Sequence, residues 1–122
     1  MRTLFIAIIA ATALSTAARA DVTCQEAANN ALAATVSATT TLAELSRYKA
    51  THDNWCEGGA VMALEQRDAD AVATAWSTAI NAQTICSQDT QFRDQMTKLI
   101  GTLHNRRLRI SDQMAELQQK CN

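Results

Sequence analysis

Apolar positions recur along this chain at the three-and-four spacing of amphipathic helices. The clearest stripe runs through Phe92, Met96, Leu99, Leu103, Ile110, Met114, Leu117 and Cys121, and it predicts one long helix from about Thr90 to near the C-terminus. At about 100° per residue, the position that fills the gap between Leu103 and Ile110 is Arg107. An arginine therefore interrupts the seam. Arg107 is expected to be a buried charge, its stem packed on neighbouring side chains and its guanidinium held by the carboxylate of Glu44 or Glu65.

A first helix is predicted to start at Thr23-Cys24-Gln25-Glu26, which has the Thr-x-x-Glu form of a capping box. Its expected inner face carries Cys24, Ala27, Ala31, Thr35, Ala38, Leu42 and Leu45. Small residues dominate that face, so a neighbouring helix can approach closely. Thr39-Thr40-Thr41 puts three β-branched residues in a row and predicts a bend or fraying.

Between these two long elements the pattern reads as a hairpin with a cysteine at each open end. Asn54-Trp55-Cys56-Glu57 is expected to open a second helix in which Ala60, Val61 and Leu64 are the apolar side, with Gly58 and Gly59 loosening its first turn. Gln66-Arg67-Asp68 is expected to break it. Asp68 then caps a third helix, whose inner face holds Val72, Ala75, Trp76, Ala79, Gln83 and Cys86. The predicted fold is all-α, a small disulfide-stapled four-helix bundle running up-down-up-down, with long helices 1 and 4 and a shorter hairpin 2-3.

Composition supports that class. There is no proline and only three glycines among 122 residues, which favours helix throughout. The alanine-rich interior is thin, because each buried CH₂ contributes only about 0.8 kcal/mol. Disulfides would supply the missing margin. In an up-down-up-down bundle the helix ends pair as Cys24 with Cys121 and Cys56 with Cys86, and this is the expected connectivity among the three that four cysteines allow.

Residues 1–20 have the form of a cleaved secretory signal peptide: Met1-Arg2 is a positive start, Thr3 to Leu14 an apolar run, and Ala18-Arg19-Ala20 a small-x-small cleavage site. Residues 21–122 are then a single helical domain, periplasmic or secreted, in a compartment where thiols oxidise. No later stretch is apolar enough for a transmembrane helix, which needs roughly 20 apolar residues. The residues before Cys24 are not of the lipid-attachment type.

A formal net charge of −1 argues against nucleic-acid binding. No Cys-x-x-Cys pair occurs, so redox catalysis, zinc ribbons and covalent haem have no support, and no cofactor is expected. His52 lies four residues before Cys56, but that cysteine is needed for a bridge and a metal site wants three or four donors, so no metal is expected. Neither histidine belongs to a nucleophile signature, and no catalytic residue is assigned. Trp55 and Trp76 are expected to be core residues.

The one dense basic patch is His104-Asn105-Arg106-Arg107-Leu108-Arg109. Arg106 and Arg109 with Leu108 between them have the composition of an interface anchor and are the candidate partner-binding residues, suited to an acidic surface. The functional expectation is a small exported non-enzymatic protein that binds another envelope protein, of the inhibitor, immunity, chaperone or accessory type. The alternative is a small-ligand carrier with an apolar pocket between helices, near Trp76.

Overall fold

The structure, a computed structural model, describes residues 22–122; the predicted signal segment and Asp21 lie outside the described residues. The described residues form three long helices, α1 (Cys24–Thr51), α2 (Ala60–Ile85) and α3 (Thr90–Cys121), with a 3-10 turn (Glu57–Gly59) before α2. Among the described residues there is no strand, and no helix is long and apolar enough to cross a membrane.

The start of α1 follows the capping box. Thr23 Oγ1 accepts the Glu26 backbone N–H at 3.0 Å, and the Glu26 carboxylate accepts the Thr23 N–H at 3.4 Å. The helix runs unbroken through the three threonines. Thr39 and Thr40 each donate a hydroxyl proton to the carbonyl one turn back, so their polar groups are satisfied within the helix. The second helix starts later than expected, at Ala60. Gly58 and Gly59 both have φ of 68°, a left-handed conformation that favours glycine, and they lead the chain into α2 instead of standing inside it. Asn54 caps no helix; its side-chain oxygen accepts the Cys56 N–H. At α3 the Asp89 carboxylate accepts the Phe92 N–H.

The four-helix bundle is corrected to three helices. Gln66-Arg67-Asp68 lies inside α2, which runs straight through the expected break. Its buried face is Val61, Glu65, Asp68, Val72, Ala75, Ala79, Ala82 and Cys86, an unbroken four-three alternation of the kind that lines a coiled-coil seam. Two carboxylates occupy core positions of that alternation, so the apolar pattern stops where the helix does not. Asp68 is mid-helix and caps nothing.

Helix number decides the disulfides. With three helices running up, down and up, the start of α1 and the end of α2 share one end of the bundle. The end of α1, the start of α2 and the end of α3 share the other. The bridges are accordingly Cys24–Cys86 and Cys56–Cys121, which replaces the nested pairing expected from four helices.

The middle helix is the centre of the packing: α1 and α3 both lie along α2 and barely touch each other. The other two seams keep the same seven-residue repeat, through Ala31, Ala38 and Leu45 on α1 and through Met96, Leu103, Ile110 and Leu117 on α3. One consequence is that Leu42, expected inside, is 40% exposed, while its neighbour Thr41 takes the inward position. Met96, Leu103 and Ile110 pack with the alanines of α1 and α2 in one cluster; Leu45, Val61 and Leu117 form a second, smaller one toward the Cys56–Cys121 end.

Candidate functional site

The buried polar groups fall into two adjoining sets, and both depend on the carboxylates of α2. The first is a layer made of one residue from each helix: Thr41 from α1, Asp68 from α2 and Arg106 from α3. Arg106 Nη2 donates to Asp68 Oδ1 and to the Ala38 carbonyl oxygen, the latter at 2.9 Å. The Thr41 hydroxyl lies 2.8 Å from both Asp68 Oδ1 and the Ala38 carbonyl oxygen. A hydroxyl has one proton to give, and the carboxylate is the stronger acceptor. Asp68 is fully buried, so its charge depends on these donors; a buried carboxylate stripped of its cation is strongly destabilising. The layer also fixes register, because sliding α2 by a turn toward Val72 would leave Arg106 facing an apolar side chain.

Arg106 is therefore not part of an outer contact face. It points inward, which separates it from Leu108, 53% exposed, and from exposed Arg109, and the three-residue partner-binding patch is not assembled. Arg107, the expected buried charge, is half-buried with its guanidinium 4.2 Å from the centre of the Trp76 ring. It pairs with an aromatic face and not with Glu44 or Glu65. Those two carboxylates face Arg67 at 3.2 Å and Lys49 at 3.7 Å. Both Arg106 and Arg107 fall between Leu103 and Ile110, and helical spacing alone does not say which turns to the interior.

The second set surrounds Glu65, one turn from Asp68 on α2. Glu65 is 1% exposed. Its Oε2 faces the Lys49 ammonium, and its Oε1 has no hydrogen-bond partner. Burial pushes its pKa up from the ordinary value; Lys49 opposes that and Asp68 adds to it. Glu65 forms the wall of a cavity of about 180 Å³ whose other walls are Lys49, Trp55, Gln113, Glu116, Leu117 and Lys120. Trp55 is held in place by its Nε1–H, which donates to the Lys49 carbonyl oxygen at 3.2 Å. The Lys49 and Lys120 ammonium groups lie 4.6 and 5.6 Å from the centre of its ring. The cavity is thus a mixed site, with one aromatic face, one leucine, two carboxylates and two ammonium groups.

Near the other tryptophan, a cleft of about 290 Å³ between α2 and α3 is lined by Ala69, Asp70, Ala73, Arg107, Ile110, Ser111 and Met114. His52 lies in the α1–α2 connection, its ring stacked on Tyr48 with centroids 3.7 Å apart. Among the described residues no group of three or more His, Cys, Asp or Glu side chains is placed to hold a metal ion. On sequence Glu65 enters only as a possible partner for Arg107 and Asp68 only as a helix cap, while Lys49 does not enter at all. Carrying the four-three alternation back from Val72 lands on Asp68, then Glu65, then Val61, which is the signal that finds the two acids.

The outer face of α1 combines a charge-free stretch with exposed apolar side chains. From Ala27 to Ala43 the helix has no charged residue. Val36 is 65% and Leu32 48% exposed there, one helical turn apart and therefore side by side. No protein-family model, characterised protein or solved structure matches this chain. Two disulfides in a small helical chain, with no membrane-spanning helix among the described residues, are compatible with an oxidising compartment.

Proposed function

We propose that this is an exported, non-enzymatic binding protein, periplasmic or secreted, that engages another envelope protein through the outer face of α1. The observation that carries this reading is the uncharged run from Ala27 to Ala43 with Leu32 and Val36 exposed on it. Surface helices normally keep charge on their solvent side, and adjacent exposed apolar side chains on a charge-free face suit burial against a partner. α1 offers an unusually wide free arc because it packs on α2 and hardly on α3. The two bridges and the Thr41–Asp68–Arg106 layer hold that face rigid, which reduces the ordering cost of association.

The chemistry of this face suits an apolar, weakly charged partner surface and not the acidic one expected for the α3 arginines. Binding of that kind is insensitive to moderate salt, since screening acts on charge. The test is a Leu32→Glu/Val36→Glu double variant, used beside the wild type to recover partners from envelope extract of the host. Both positions are exposed, so the circular dichroism spectrum and melting midpoint should be unchanged while the specific partner is lost. Equal recovery of that partner by the two proteins would exclude this face.

A further inference from the structure

We propose that the outer face of α1 seats a second copy of this chain, the two α1 helices packing antiparallel about a two-fold axis that passes between Val36 and Thr39. The dimer rests on the same face as the protein-binding reading and names what covers that face in the free protein. α1 carries two seven-residue repeats. The inner one, Ala31, Ala38 and Leu45, packs on α2. The outer one places Asn29, Val36 and Ala43 at one seam position and Leu32, Thr39 and Ser46 at the other, and all six are exposed. The threonines do not oppose burial: the hydroxyls of Thr39 and Thr40 donate to the Thr35 and Val36 carbonyl oxygens at 3.0 and 3.2 Å, so covering them strands no donor.

Charge complementarity selects the occupant. One flank of the outer seam is Glu26, Ala33, Thr40 and Arg47, every one of them exposed. Its two ends therefore carry opposite charges with a neutral stretch between. When two such helices lie antiparallel, these flanks face each other across the seam, and Glu26 meets Arg47 of the second copy twice by symmetry. The same alignment sets Leu32 against Ala43 and Val36 against Thr39, which buries both exposed apolar side chains. Among the described residues neither Glu26 nor Arg47 forms a salt bridge within its own chain. Glu26 Oε1 serves the capping box, which leaves Oε2 to accept from a guanidinium. A parallel arrangement sets Glu26 level with Glu26 and makes neither pair, and a partner of uniform charge satisfies only one end of the face. With two large apolar side chains from each copy, the contact belongs to the small, reversible class of interfaces.

The experiment is sedimentation equilibrium of the purified, disulfide-intact protein from micromolar to millimolar concentration, beside Arg47→Glu and the Glu26→Arg/Arg47→Glu double variant. The expected result is a reversible monomer–dimer equilibrium in the wild type. Arg47→Glu brings like charges together twice and should weaken it at least about threefold. The double variant keeps the wild-type net charge with the pairs exchanged, and it should regain the dimer. If Glu26→Arg disturbs the start of α1, Glu26→Gln with Arg47→Gln serves instead, because glutamine retains the capping-box acceptor; its dimer should lie between the wild type and Arg47→Glu in strength. A monomer throughout the range, a dimer indifferent to Arg47→Glu, or one that persists in Leu32→Glu/Val36→Glu would overturn the assignment. The purified protein is tested alone and the charge variants leave Leu32 and Val36 in place, so a monomeric wild type removes the second copy while recovery of an envelope partner remains a separate readout.

Discussion

At the Cys24–Cys86 end α1 and α2 meet through Ala27, Ala28, Ala31, Ala79 and Ala82, with Met96 of α3 packed on them, whereas at the Cys56–Cys121 end the helices meet through Leu45, Val61 and Leu117 with Tyr48, Trp55 and Met62 around them. Small side chains let backbones come close and leave no room for a polar group. Large ones hold helices apart, and their irregular outlines leave gaps. The buried acids sit at the change from one regime to the other: Asp68 in the dividing layer, and Glu65 one turn into the wider end, where the 180 Å³ cavity lies. The same three helices therefore make a tight staple at one end and a chemically mixed chamber at the other. What separates them is side-chain volume at the seam positions of α1 and α2.

The sharpest way to break this comparison is to remove the layer that divides the two ends. Arg106→Ala leaves Asp68 buried without its cation, and the expected loss is about 3 to 5 kcal/mol in chemical denaturation with both disulfides intact. Asp68→Leu combined with Arg106→Met replaces the pair by apolar groups of similar size and should recover most of that loss. If Arg106→Ala costs less than about 1 kcal/mol, the pair behaves as a solvated one and the two ends are not divided by a dry polar layer.

That layer also explains what the amino-acid pattern did and did not disclose. The Thr23 capping box, the α3 stripe and the presence of two bridges depend on local spacing or on cysteine number, and each is readable without tertiary context. The α2 seam is not, because Glu65 and Asp68 hold core positions by virtue of partners on other helices, Lys49 on α1 and Arg106 on α3. A helix whose core positions carry charge looks like two helices with a polar turn between them. One extra turn inverts the direction of every later element, so the bridge pairing changed with the helix count. The choice between Arg106 and Arg107 was likewise undecidable locally: both flank the seam, and Asp68 on one side and the Trp76 ring on the other sort them.

The two ends should also differ in their tolerance of added volume. Ala79→Leu puts three more carbons into the alanine-lined seam, where overpacking costs about 1 to 3 kcal/mol. Leu117→Phe adds volume at a wall of the cavity, where the ring has somewhere to go. It should be the milder change by about 1 kcal/mol or more, read from denaturation midpoints at equal slopes. Equal costs would mean that the wide end is as closely packed as the narrow one.

The smallest expected effect is on pH dependence, and it separates burial from pairing at Glu65. The carboxyl group has a raised pKa in the folded chain because burial disfavours its charge, while Lys49 works in the opposite sense and Asp68 in the same one. Between its unfolded and folded pKa values the native state holds more protons than the unfolded chain. Glu65 therefore favours folding at low pH, and its contribution declines as pH rises through the folded value. Above that point the ionised side chain, with Oε1 unpartnered, is a net cost on the order of 1 kcal/mol. Glu65→Gln does not titrate, so the wild type should be at its best relative to this variant in acid, lose ground as pH rises from the unfolded to the folded pKa of Glu65, and level off above it. Paired thermal melts across that range measure the trend. If the wild type instead gains on the variant as pH rises, the Lys49 ion pair outweighs desolvation. Glu65 would then be a satisfied structural acid.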